Sequence, residues 1–299
     1  MRIFESVDLL DRHEFQRQRW RFYKLVAPAL VLVTETTGSA NNIDYYRQLL
    51  LRMQQMRPQL NVQLACADDP ERAIAALRLA ERHADAEHDE SLPTQLAPAE
   101  IVLVPLEIAS VQQVRPNIQQ LTAKLSEAYP DSHVALARPL GPASELLGIV
   151  DLRLRAALSA LRVTELDALV LLAPGSADTR GAALLSRRAR QWSTRHKLPV
   201  NLAIADSPSA SLASAIANLH DQGRRRVAVG SLHLTADEEF QNQLEIAKNC
   251  GALAVSAPLG FDDRILEIAM GRYAYAAMAM LDDVSPAEAD DADAEATEL

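Results

Sequence analysis

Cysteine and glycine are both scarce here: two of the first and ten of the second in 299 residues. Cys66 and Cys250 lie far apart, with no Cys-x-x-Cys and no Cys/His cluster around them. A disulfide scaffold is excluded, and the expectation is two small buried apolar residues in a reducing compartment. So little glycine excludes collagen and close wrapping of phosphates. No Gly-x-Gly-x-x-Gly or Gly-x-x-x-x-Gly-Lys-Ser/Thr loop occurs, so no nucleotide or organic cofactor is expected. The Gly-x-Ser-x-Gly elbow of serine hydrolases is missing as well. No apolar run reaches the roughly 18 residues of a membrane span, and MRIFESVDLLDRHEF lacks the apolar core of a signal peptide. The expectation is a cytoplasmic protein that does not enter the membrane.

What remains is ordinary globular material, 48% hydrophobic and 23% charged, long enough for one large domain or two smaller ones. The net charge of −10 is concentrated at one end. Residues 282–299 (DDVSPAEADDADAEATEL) hold eight acids and no base, which leaves the rest of the chain near −2. This stretch reads as a solvated acidic tail. At the other end, residues 1–27 form an arm in which Arg12, Arg17, Arg19, Arg21 and Lys24 alternate with Phe15, Trp20, Phe22 and Tyr23. One short basic segment on a near-neutral body does not make a nucleic-acid surface, so no nucleic-acid partner is expected.

Between arm and tail the chain repeats one plan. PALVLVTETTGS (28–39) matches DALVLLAPGS (167–176), the second Gly-Ser lying 137 residues after the first. VQLACADDP (62–70) matches VNLAIADSP (200–208), and IVLVPLEI (101–108) matches VAVGSLHL (227–234). RPLG (138–141) matches APLG (257–260), and Arg153 matches Arg272 at the same offset. The offset falls by 12 between the second and third landmarks, which assigns the polar segment 82–98 to an insertion in the first copy. In each copy, short apolar runs alternate with helical patterns: strands at 30–33, 60–66, 101–106 and 133–137, helices at 43–57, 70–83, 113–128 and 143–161. That alternation predicts α/β architecture, two lobes of doubly wound parallel sheet related by a pseudo-two-fold. The domains are expected at 28–161 and 162–281.

In open parallel sheets a ligand sits beyond the carboxyl ends of the strands. Gly38-Ser39 and Gly175-Ser176 lie there, as anion-binding turns or as part of helix N-caps. After the third strand of the second copy comes Leu232-His233-Leu234-Thr235-Ala236-Asp237-Glu238-Glu239. An imidazole followed by carboxylates can hold a divalent metal or shuttle protons; the same pattern also suits a strand histidine followed by an acidic first helical turn. The remaining histidines read as surface residues.

In their order and spacing these landmarks resemble the CbiX family of sirohydrochlorin chelatases. That family has a strand ending in Gly-His-Gly-Ser, a strand leading to Pro, then Pro-Leu-Phe-Leu with a later His, and Pro-Leu-Gly before the last helix. The resemblance covers about 28–160 and 166–280 and implies a tandem form of two fused family domains. It implies insertion of Co(II) or Fe(II), the metal being a substrate, into a tetrapyrrole of cobalamin or siroheme biosynthesis. Thr37 and Pro174 stand at the position of the family's first histidine, Gln113 and Glu239 at the second, and Asn117 and Gln243 at the family aspartate. Under the resemblance Glu239 and His233 carry the metal and the catalysis, while Gly38, Ser39, Gly175 and Ser176 approach the macrocycle. A family member that binds tetrapyrrole or metal without turnover is the alternative, as is a partner of a paralogous chelatase working through arm and tail.

Overall fold

The computed structural model describes residues 27–35, 40–75, 77, 100–175 and 178–283. The basic arm, the 82–98 insertion and nearly all of the acidic tail lie outside the described residues. So do Thr37, Gly38, Ser39 and Ser176.

Short runs rich in leucine, valine and alanine become strands, of which the central ones are buried on both faces. In the first lobe these are β1 (Ala29–Thr34), β2 (Val62–Cys66), β3 (Glu100–Pro105) and β4 (His133–Leu136). In the second they are β5 (Ala168–Ala173), β6 (Val200–Ile204), β7 (Val227–Ser231) and β8 (Ala254–Val255). Every pairing is parallel, and the two sheets share one order, β2-β1-β3-β4 and β6-β5-β7-β8. All six residues of β1 and all six of β5 are buried, which fits unbroken apolar strands between two helical layers. This is the two-lobed α/β architecture that the alternating pattern predicts.

The helices are α1 (Ala40–Met56), α2 (Pro116–Ala128), α3 (Leu146–Ala160), α4 (Thr179–His196), α5 (Leu212–Asp221), α6 (Glu238–Asn249) and α7 (Asp263–Asp283). A further helix begins at residue 70. Two starts fall three residues later than periodicity predicts. At α2, Pro116 occupies the first turn and Arg115 is extended, because proline disfavours helical geometry in the residue before it. No helix among the described residues is long and apolar enough to cross a membrane.

The helices do not all cover the sheet of their own lobe. α3 follows the first sheet in the chain yet packs on β7 and β8, and α7 crosses back onto β3 and β4. One continuous core therefore runs through both lobes, joining Leu30 and Val102 to Leu171 and Ala228. A separate outer core lies on the far face of each sheet, one around Ile118 and Leu121, the other around Leu212 and Ile216. The crossing is held by matching polar contacts. Arg153 on α3 donates to the carbonyls of Leu259 (3.1 Å) and Phe261 (3.2 Å), while Arg272 on α7 donates to that of Leu140 (2.9 Å). Asp151 on α3 accepts the Trp192 indole N–H and meets His196, both at 2.7 Å, and both of these residues lie on α4. His196 is thus part of a lobe-to-lobe staple and not a simple surface residue. Cys66 and Cys250 are free and only partly buried.

Candidate functional site

The carboxyl ends of the strands of both lobes meet in one charged cluster. β7 ends at Ser231, so His233 lies in the turn beyond the strand, not within it. Its ring is almost fully buried, 1% exposed, against the edge of Phe240. The Ser231 hydroxyl lies 3.0 Å from Nδ1, and Nε2 lies 3.2 Å from Oε2 of Glu239, in the first turn of α6. With the proton on Nε2 the ring donates to Glu239 and accepts from Ser231, so every polar atom of the imidazole is used. The hydrogen bond from His233 lowers the Glu239 pKa, outweighing partial burial; the His233 ring, Arg115 and the Gly175 N–H add to the effect. Glu239 is therefore kept ionised.

The other two carboxylates of the 237–239 run do different work. Asp237 caps α6, accepting from Phe240 N (2.8 Å) and from the Thr235 hydroxyl (3.2 Å). Glu238 is exposed. Only Glu239, which turns back toward the strand end, reaches the histidine.

Across from this pair the first lobe contributes three residues that the sequence reading did not single out. Arg115 pairs with Glu35, just beyond β1, at 2.8 Å, and its Nε lies 3.6 Å from Glu107, just beyond β3. Burial raises the Glu107 pKa to about 7 despite Arg115, and one of its oxygens is buried with no hydrogen-bond partner among the described residues. Burial raises the Glu35 pKa too, and the charges of Asp68 and Glu239 push the same way. The charge of Glu239 acting on Glu35, and that of Arg115 acting on Glu239, join the two lobes electrically.

Gly175 lies between these halves because a side chain does not fit there. A Cβ at this position would stand 2.5 Å from an Asp206 carboxylate oxygen and 3.2 Å from an Arg115 guanidinium nitrogen. Beside it Asp178 caps α4, the role open to the Ser-Ala-Asp-Thr segment, and reaches into the other lobe. Its Oδ2 accepts from the backbone N–H groups of Val111 (2.8 Å), Gln112 (2.8 Å) and Gln113 (3.0 Å). Desolvation opposes its ionisation, but those three donors and the Gly181 N–H outweigh it and hold Asp178 at about 2.

The structure brings together Glu239, His233 and Gly175. Gln113 is exposed, tied in by its backbone to Asp178, and Pro174 closes β5 without a metal-binding atom in its side chain. Asn117 bonds Asp68 at 2.9 Å, and Gln243 is buried with its amide nitrogen 3.4 Å from the Ala205 carbonyl. Among the described residues no group of three or more His, Cys, Asp or Glu has the geometry to hold a metal ion. A single carboxylate–imidazole pair, with an arginine among the remaining carboxylates, can hold a divalent cation only in passing.

The two-lobed frame on which this cluster sits is similar in fold to that of solved chelatases. The sequence matches no protein-family model and no curated protein. Among solved structures it is similar to SirB from Bacillus subtilis with Fe3+, at 15% identity and a TM-score of 0.62 over 84% of this chain and 96% of that one. It is similar also to the sirohydrochlorin chelatase SirB from Bacillus subtilis subspecies spizizenii in complex with cobalt, at 12% identity and TM-score 0.58 over the same shares. A third likeness is to DR2241 from Deinococcus radiodurans, a multi-domain protein with structural similarity to chelatases and two additional domains (16% identity, TM-score 0.52). There 83% of this chain covers 55% of the other, so the chain spans about half of that protein. At such identities the likeness is one of fold.

Proposed function

We propose that this protein is a metal chelatase of the sirohydrochlorin type, inserting Co(II) or Fe(II) into a tetrapyrrole held between its lobes. The observation that carries the reading is the His233–Glu239 pair at the strand ends of one lobe, facing Glu35, Glu107 and Arg115 of the other. Insertion exchanges two pyrrole protons for one divalent cation, so the site must present a cation and remove two protons. Glu239, held ionised, and the Nε2 of His233 are the metal-capturing atoms, the metal taking the place of the proton now shared between them. Two donors hold a cation weakly, which suits a substrate that must be handed on. Glu107, titrating at about 7, is the group best matched to accept one pyrrole proton at neutral pH, and Glu35 beside it, its pKa also raised by burial, takes the other on its way to solvent water. Arg115 keeps the empty cluster from carrying three unbalanced carboxylates.

The test is an anaerobic insertion assay with Co(II) and Fe(II). The reading predicts metal-dependent loss of free sirohydrochlorin well above the spontaneous rate, and a wild-type rate equal to the spontaneous one ends it. The lack of a three-ligand group among the described residues favours a second reading, a protein that binds tetrapyrrole without turnover. It predicts a spectral shift on titration with sirohydrochlorin while insertion stays at the spontaneous rate; no shift at all rules it out.

A further inference from the structure

A second feature of the lobe junction lies next to the Asp178 contact, sharing Val111 with it. The turn Pro139–Gly141 after β4, the following Pro142 and Ala143, and Val111 form one wall of a cavity; Leu184 and Arg188 of α4, with Arg272 of α7, form the other. Arg138 closes the rim, its guanidinium 5.6 Å over the Tyr275 ring. Three arginines therefore line one opening, and none has a carboxylate within ion-pair distance among the described residues. The nearest opposite charge felt by Arg188 and Arg272 is the exposed Glu145, whose carboxylate takes the Ser144 hydroxyl at 3.1 Å.

The arginines are held in place by neutral groups. Arg188 Nε donates to the Pro142 carbonyl at 2.6 Å and its NH1 group to Gln191 at 3.1 Å; Arg272 uses one nitrogen on the Leu140 carbonyl at 2.9 Å. Arg272 Nε is buried and has no hydrogen-bond partner among the described residues. A buried donor on a charged group left unused is costly unless something else satisfies it. Holding like charges together around an empty space has the same implication.

We infer that this three-arginine cavity is an oxyanion-binding site, taking a carboxylate or phosphate group on Arg188 and Arg272 with Arg138 at its mouth. The planar donors of arginine match both groups, and the fixed backbone contacts leave the remaining N–H groups oriented for them. The free space is about 90 Å³, several waters' worth. That admits one such group and falls well short of the roughly 300–1,000 Å³ that encloses a whole organic ligand. The anion is therefore either a free inorganic oxyanion or an acidic side chain of a larger molecule lying in the cleft. In the second case the inference rests on the tetrapyrrole reading, because sirohydrochlorin carries carboxylates around its rim.

Calorimetric titration of the full chain with inorganic phosphate, beside spectral titration with sirohydrochlorin, separates the sources. Arg188→Gln removes donors. Ala143→Asp instead places a carboxylate in the cavity and keeps the arginine–carbonyl contacts, so it controls for a folding defect in the first variant. Weakening of phosphate binding at least tenfold in both variants supports the site with a free oxyanion as its ligand. The same loss seen only with sirohydrochlorin supports it with a rim carboxylate as ligand. Phosphate binding without any sirohydrochlorin binding keeps this site and ends the tetrapyrrole reading. If both variants bind both probes as the wild type does, or if the wild type binds neither, the inference is overturned.

Discussion

At the scale of single residues the cluster is a problem in charge balance. Glu35, Glu107 and Glu239 gather at the strand ends, and one guanidinium, Arg115, stands among them. A divalent cation entering the site competes with that guanidinium for the same oxygens. Arg115→Met should therefore tighten Co(II) binding by the apo-protein, by about tenfold, which is ~1.4 kcal/mol. Calorimetric titration checks this, and unchanged or weaker binding would place the metal elsewhere. Glu107 gives a pH signature of defined sign. Its folded pKa of about 7 lies above the ordinary value of 4.5, so its contribution to stability is full below 4.5 and is lost as pH rises through 7. Glu107→Gln should remove that fall, so that chemical denaturation at pH 5 and pH 8 shows a smaller drop in the variant than in the wild type. Asp178 runs the other way: its stabilisation is present above 3.8 and disappears as pH falls toward 2.

Secondary-structure elements show what a linear reading can and cannot reach. Unbroken apolar runs mark the strands, since a strand buried on both faces has to be apolar throughout. The Leu232–Glu239 segment was legible too, because six residues of turn and first helical turn suffice to fold Glu239 back onto His233. Arg115, Glu35 and Glu107 were not. Each is a lone charge in an unremarkable segment, and only the parallel order of β1 and β3 brings their ends together. Glu35 and Glu107 shared one signal, position just after a predicted strand, while Arg115 lay at the start of a predicted helix. The closeness of helix and strand also leaves little trace in sequence. Gly230 sits in β7 where a Cβ would lie 2.5 Å from Val150 of α3 and 2.6 Å from the Trp192 ring of α4. Gly230→Ala is expected to cost roughly 1–3 kcal/mol by overpacking, read as a lower denaturant midpoint at unchanged slope. A neutral effect would mean that α3 and Trp192 are free to retreat.

For the whole molecule, the lobes are interlocked more than their order in the chain suggests. Local periodicity predicts α3 and α7 as helices but is silent on which sheet each covers, because that depends on connections between distant parts of the chain. With α7 lying across β3 and β4, residues 28–161 alone would expose the face that α7 covers. Expressed alone, this fragment should lack a cooperative unfolding transition, whereas the full chain should show one; a stable fragment would mean that α7 adds little to the first lobe. The same interlocking holds the two halves of the charged cluster in register. The account stands or falls on whether Glu239 handles the metal there in place of an imidazole. The most direct measurement is the initial rate of anaerobic cobalt insertion into sirohydrochlorin by the wild type, Glu239→Gln and Glu239→His. The account predicts at least a tenfold loss for glutamine, which keeps the shape but not the charge, and retained turnover for histidine, which restores a metal-binding atom. Equal rates for the wild type and the glutamine variant would contradict it.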